Sequence, residues 1–269
     1  MFVRVFSFPY RKEGAIVENI LSYRIGHPAR PVLPLERIRA VGLARVEISL
    51  GPDDDAGEAR ELLAAHGLAA ATLSTPCPLA DESVFEVFEN YSAKGAALGC
   101  TSLFTSAKAG ELPLQVAYDR LRRLGEIAAA HGLKIGLETH PDLCENGARA
   151  AATMSAINHP AVGVNYDTAN VYYYNHGVDT VEEVAKVARD VVSVHLKDTL
   201  GGYRDARFPR FGEGVVDFAG VFRVLNEVGF HGPFTIELEG PLTHGETPEE
   251  REEHVRACIA HLRSLGLVG

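Results

Sequence analysis

The sequence has no clustered cysteines, no basic run and no long apolar segment. Its four cysteines, Cys77, Cys100, Cys144 and Cys258, lie far apart without C-x-x-C spacing, and they follow an N-terminus that has no charged-then-apolar signal pattern. They read as reduced, buried thiols of a cytoplasmic protein. Lys and Arg are scattered, and the formal charge is −10, so the electrostatic footprint of a nucleic-acid binder is missing. No apolar run approaches the roughly 20 residues that cross a bilayer, which predicts a soluble chain without membrane partners. A Gly-rich phosphate turn is also missing after the first β-type run, where FSFPYRKEG stands instead. That argues against a doubly wound nucleotide-binding sheet.

What is present is 269 residues with 46% hydrophobic content, enough for one large core. Short β-rich runs alternate with longer amphipathic runs from end to end, the pattern of repeated βα units. The predicted strands are 2–8, 44–50, 68–74, 100–106, 133–139, 161–167, 191–197 and 233–239. Helices are predicted near 35–41, 55–66, 82–98, 114–131, 145–157, 179–189, 216–228 and 248–265. AAHGL at 64–68 and 129–133, and NEVGF at 226–230, place glycine where a helix ends in a left-handed cap. Eight such units in this length predict an α/β fold, a (β/α)8 TIM barrel forming a single domain over 1–269. Two longer connections, 9–34 with Tyr23, Arg24 and His27, and 198–215 with Arg204, Arg207 and Arg210, are expected as loops over the catalytic mouth.

The strands end in unusual residues. The fifth gives Glu138 and His140, the sixth Asn165 and Asp167, the seventh His195 and Lys197, and the eighth Glu237 and Glu239. Each pair obeys the two-residue period that puts both members on one face. Any one of them could be a rim, cap or core residue. Together they converge, and carboxylates gathered in a cavity repel unless a cation or proton lies among them. Two Glu, one Asp and one His form an oxygen-rich set that favours Mn²⁺, Mg²⁺ or Co²⁺, with Zn²⁺ also admissible. A substrate with adjacent carbonyl and hydroxyl oxygens could chelate such an ion, which would acidify the C–H between them through an enediolate.

At these residues the sequence resembles the sugar phosphate isomerase/epimerase family of xylose isomerase-like barrels. The pieces are GLETH (136–140), VGVNYDTAN (162–170), VHLKD (194–198), FGEGVVDF (211–218) and GPFTIELEG (232–240). Their order looks most like the ketose and pentulose-5-phosphate 3-epimerases. The resemblance implies Glu138, Asp167, His195 and Glu237 as metal ligands, with Glu138 and Glu237 also the acid/base pair. Glu237 is taken over Glu239 because it follows the apolar run at the family position. His140, Lys197, Arg210 and Glu47 are the implied substrate contacts, with Arg204 as the alternative to Arg210. Asn170 stands where some ketose epimerases carry histidine, and Asp217 reads as a helix cap after GEG (212–214).

The expected function is a metal-dependent isomerase or epimerase acting on a small sugar or sugar phosphate, with homo-oligomerisation left open. An inosose-type dehydratase begins with the same proton abstraction. A DNA repair endonuclease of the same barrel type needs more strand-end histidines than this chain offers. A non-catalytic sugar-binding barrel would have no need for two proton-transfer carboxylates.

Overall fold

Strand after strand, apolar side chains alternate with small or polar ones. In Lys134–Glu138 (β5), Ile135 and Leu137 are buried against the surrounding helices, while Gly136 and Glu138 fall on the other face. Tyr166 in Val162–Asp167 (β6) likewise points outward and donates its hydroxyl to the Thr180 carbonyl at 2.8 Å. Its neighbours Asn165 and Asp167 point inward. A sheet with one apolar face and a period-two interior closes on itself when helices cover the outside.

A computed structural model describes residues 18–269, and its sheet is a closed barrel of eight parallel strands in sequence order. The others are Leu21–Gly26 (β1), Arg45–Ser49 (β2), Ala69–Ser74 (β3), Ser102–Thr105 (β4), Val191–Leu196 (β7) and Phe234–Ile236 (β8). Closure is made by β1, where Tyr23 stands opposite Val46 of β2 and Ile236 of β8. The helices alternate with the strands. They are Leu35–Ala40 (α1), Ala56–Ala65 (α2), Val84–Leu98 (α3), Leu114–Ala130 (α4), Gly147–Ile157 (α5), Asn170–Tyr174 (α6), Thr180–Val187 (α7), Phe218–Glu227 (α8) and Pro248–Ser264 (α9). Among the described residues no helix is long and apolar enough to cross a membrane.

Helix ends follow the sequence closely. Gly67, Gly132 and Gly229 carry φ of 69°, 73° and 85°, the left-handed conformation a side chain would strain. Asp217 caps α8 by accepting from Gly220 N at 2.8 Å, and Thr247 and Glu250 form a capping box at α9. The side chains that α2, α3, α4 and α8 turn inward, such as Leu63, Phe88, Leu121 and Phe222, are essentially inaccessible. Each contributes about 1.5–3 kcal/mol by leaving water.

The expected first strand, 2–8, lies outside the described residues, and the barrel's first strand is Leu21–Gly26. The connection expected over 9–34 is therefore corrected. Within it LSYRIG is a buried strand, with Tyr23 and Ile25 outward and Ser22 and Arg24 inward. Its inward positions are polar because they line the barrel, and that masked it as a strand. The short α6 was not anticipated.

Candidate metal centre at the barrel mouth

The C-terminal ends of β5, β6, β7 and β8 bring Glu138, Asp167, His195 and Glu237 together. One ligand atom from each lies within 4.8 Å of all the others, and all four residues are buried. The strands are staggered, with Glu138 opposite Asn165, Asp167 opposite His195, and His195 opposite Thr235, so the four side chains converge from different levels of the inward face at the strand ends.

Each ligand is held by a neighbour. Asp167 Oδ1 accepts the backbone N–H groups of Ala169 and Asn170, both at 2.8 Å, which leaves Oδ2 for other work. Glu138 accepts from Ser106 Oγ, and from Asn170 Nδ2 at 3.4 Å. His195 Nε2 lies 3.1 and 3.2 Å from the two oxygens of Glu47, which is fully buried on β2. That bond holds a proton on Nε2 and turns Nδ1 toward Glu237 Oε2, 3.3 Å away. Lys197 is sealed among carboxylates, with Nζ 2.8 Å from Glu237 Oε2 and 3.0 Å from Asp167 Oδ2, a contact to Glu239, and the Phe208 ring 4.8 Å away.

The charges act on one another through a dry interior. Burial, reinforced by the charge on Glu237, pushes the Glu138 carboxyl up to about 7. Burial works the same way on Glu237, but Lys197, His195 and Arg24 outweigh it and hold that carboxyl well below the usual range. His140 is driven down to about 4 by burial and by Lys108 and Lys197. It is therefore a neutral imidazole, 3.4 Å from Glu138 Oε2 and from the Tyr174 hydroxyl.

Whether this set suits a divalent cation can be judged from the atoms themselves. His195 Nδ1 is buried and makes no hydrogen bond, and Asp167 Oδ2 has the Lys197 ammonium, 3.0 Å away, as its partner. Buried polar atoms in folded proteins almost always find a partner. Here an imidazole nitrogen without one shares a space with three carboxylates, and a divalent cation among them would satisfy it and add to the charge compensation that Lys197 supplies. Three carboxylates and one imidazole are the donors of an oxygen-rich site.

The four predicted ligands and His140 are thus in one place. Lys197 and Glu47, predicted as substrate contacts, stand behind the ligands and not at the accessible surface: the first neutralises Asp167, Glu237 and Glu239, and the second orients His195. Arg210 is half-buried on the loop after β7 and makes no ion pair among the described residues, and Arg204, with φ of 55°, is tied through its backbone N–H to Tyr173 O at 2.9 Å. Glu213 is exposed, and Gly212 and Gly214 donate their backbone N–H groups to Asp198 at 2.9 and 3.0 Å. Sequence reasoning missed Arg24 as a site residue. It reaches from β1 to Glu237, stands 3.6 Å from Glu47 and lies 5.2 Å over Phe104. An inward arginine at the fourth position of a short strand was the available signal, and assigning that stretch to a loop concealed it.

The chain is similar to an L-ribulose-5-phosphate 3-epimerase of Shigella flexneri, at 30% identity over 156 residues, 56% of this chain and 51% of that one. It is also similar to a ketose 3-epimerase of Arthrobacter globiformis, at 25% identity over 228 residues, 76% of this chain and 75% of that one. With several curated relatives, including the first, the matched region spans only about half of their length. Among solved structures, a xylose isomerase domain protein from Planctomyces limnophilus superposes with a TM-score of 0.75 at 20% identity, covering 93% of this chain and 98% of that one. Residues 35–265 match the family profile described as the xylose isomerase-like TIM barrel, and with the closed eight-stranded barrel in place, the chain belongs to that family.

Proposed function

We propose that the protein is a divalent-metal-dependent isomerase or epimerase that moves a proton at the carbon next to the carbonyl of a small ketose or ketose phosphate. The observation that carries this reading is the buried cluster of Glu138, Asp167, His195 and Glu237, with one ligand atom of each within 4.8 Å of the others and His195 Nδ1 lacking a hydrogen bond. Mn²⁺, Mg²⁺ or Co²⁺ suits the donor set best. Such an ion would stabilise negative charge on the carbonyl oxygen of the substrate.

The chain's own groups divide the remaining work. Glu138 and Glu237 come from β5 and β8, which are not neighbours in the barrel. They approach a substrate carbon from different sides, one to remove the proton and the other to return it. Glu47 holds the His195 ring, Lys197 neutralises the carboxylates from behind, and His140 with Tyr174 forms the wall next to Glu138. The epimerase names of two relatives support the same class.

The test is solvent-deuterium incorporation by NMR across free and phosphorylated ketoses, with Mn²⁺ or Co²⁺ added, comparing the native protein with Glu237→Gln. Exchange in the native protein that disappears in the variant supports the reading. Bound metal without exchange into any sugar overturns it, and a conjugated product formed from an inosose would redirect it to a dehydratase.

A further inference from the structure

Arg24 belongs to the same cluster, yet neither the sequence motifs nor the ligand set gives it a task. Its contacts close a ring of alternating charge across four strands. Arg24 Nη1 donates to Glu237 Oε1, Glu237 Oε2 is 3.3 Å from His195 Nδ1, His195 Nε2 is 3.1 Å from Glu47 Oε1, and Glu47 Oε1 is 3.6 Å from Arg24 Nε. The guanidinium plane is steadied by the Phe104 ring 5.2 Å from its central carbon.

Arg24 differs from the rest of this ring in one respect. The side chains of Glu47, Glu237 and His195 are 0%, 3% and 0% exposed, whereas that of Arg24 is 36% exposed. Its Nη1 is committed to Glu237, its Nε faces Glu47, and its Nη2 has no hydrogen-bond partner among the described residues. A guanidinium is a rigid planar fork, so fixing one edge fixes where the other edge points. With 36% of its side chain exposed, Arg24 is the member of this ring that a ligand can reach.

We propose that Arg24 is a substrate-binding residue of this site, donating from its free edge to the oxygen of a hydroxy-ketone that gains negative charge as the neighbouring C–H is deprotonated. The inference rests on the proton-transfer reading of the same site. It selects ligands that place an anionic oxygen beside Glu237, and it gives Arg24 a second effect, keeping Glu237 pointed at the carbon it serves. A charge-assisted hydrogen bond of this kind changes affinity by tenfold or more.

The experiment uses the Mn²⁺-loaded protein and two small probes. Glycolohydroxamate is planar and, once its N–hydroxyl loses a proton to solvent on chelation, carries an anionic oxygen like that of a deprotonated hydroxy-ketone, and 1,2-ethanediol is a neutral comparison. Arg24→Lys keeps a cation near Glu237 but removes the fork, and Arg24→Gln serves if the lysine variant does not fold. Titration calorimetry with Mn²⁺ held saturating for each protein is expected to show glycolohydroxamate bound at least about tenfold more weakly by the variant, with no comparable change toward the diol. Equal hydroxamate affinity in native and variant, or no hydroxamate binding to the native loaded protein, overturns the role of Arg24. Failure of the native protein to bind Mn²⁺ would instead sink the underlying metal reading, so the two failures are separable.

Discussion

Asp198, one residue beyond Lys197 at the end of β7, accepts four backbone N–H groups. They come from Thr199 at 2.8 Å, Gly212 at 2.9 Å, Gly214 at 3.0 Å and Val216 at 3.2 Å. The side chain therefore pins the start of the long loop after β7 to its return, just before α8. Burial pushes the carboxyl above its ordinary value while the N–H groups oppose that, so the ion gains little net from being there. The loss on substitution lies in the donors left behind. In Asp198→Asn one oxygen becomes NH2, which can accept nothing, and the cheapest orientation turns it to the N–H groups of exposed Gly212 and half-buried Gly214. At about 1–3 kcal/mol for an unsatisfied buried donor, with the Gly212 N–H free to turn to water, the cost is roughly 1–3 kcal/mol. For a chain of this size that lowers Tm by at least about 2 °C. Thermal melts followed by circular dichroism would read it, with Asp205→Asn, which breaks an exposed pair with Arg207, as the control expected to stay close to native. Gly214→Ala should destabilise the same loop by a different route, because an added Cβ would meet Asp198 Oδ1 at 2.2 Å and the Thr199 carbonyl at 2.3 Å. A melting temperature for Asp198→Asn indistinguishable from native would refute the pinning argument.

Three further outcomes are expected. Ser22 Oγ, Thr72 Oγ1, Ser102 Oγ, Thr235 Oγ1 and Asn165 Nδ2 are buried without partners, and most stand two residues before a site residue on the same strand, so ordered water should fill this layer. Thr72→Val should then lower stability by about 1 kcal/mol in urea denaturation, whereas a gain of that size would mean the layer is dry. Glu47→Gln should weaken Mn²⁺ binding by about 10–100-fold in calorimetry, because the amide no longer holds the imidazole as a carboxylate does; unchanged affinity would remove Glu47 from the metal argument. Burial raises Cys100 and Cys258 to about 12 from 9.0. Between those values the unfolded chain ionises its thiols while the folded chain keeps them protonated, so stability falls as pH rises above about 9, by about 1 kcal/mol per thiol at pH 10. Replacing both by Ala should reduce that slope in urea titrations at pH 8 and pH 10, the remainder coming from Cys77 and Cys144, which burial also raises.

The sequence by itself determined the helical and strand alternation, the glycine caps and the inward polar residues at the strand ends, for a local reason. Val191–Leu196 and Val162–Asp167 carry their polar ends in a period-two register that any extended chain must obey, and Gly67 and Gly132 mark helix ends by backbone sterics alone. Leu21–Gly26 was not legible as a strand, because its inward Ser22 and Arg24 make sense only against the barrel axis that the other seven strands create. Closure also decided what surrounds each ligand. Arg24, Glu47 and Glu237 are far apart along the chain, and only the pairing of β1 with both β2 and β8 sets them side by side. The same closure moved Glu47 and Lys197 behind the ligands, since depth along a barrel axis depends on register between strands and not on the pattern within one.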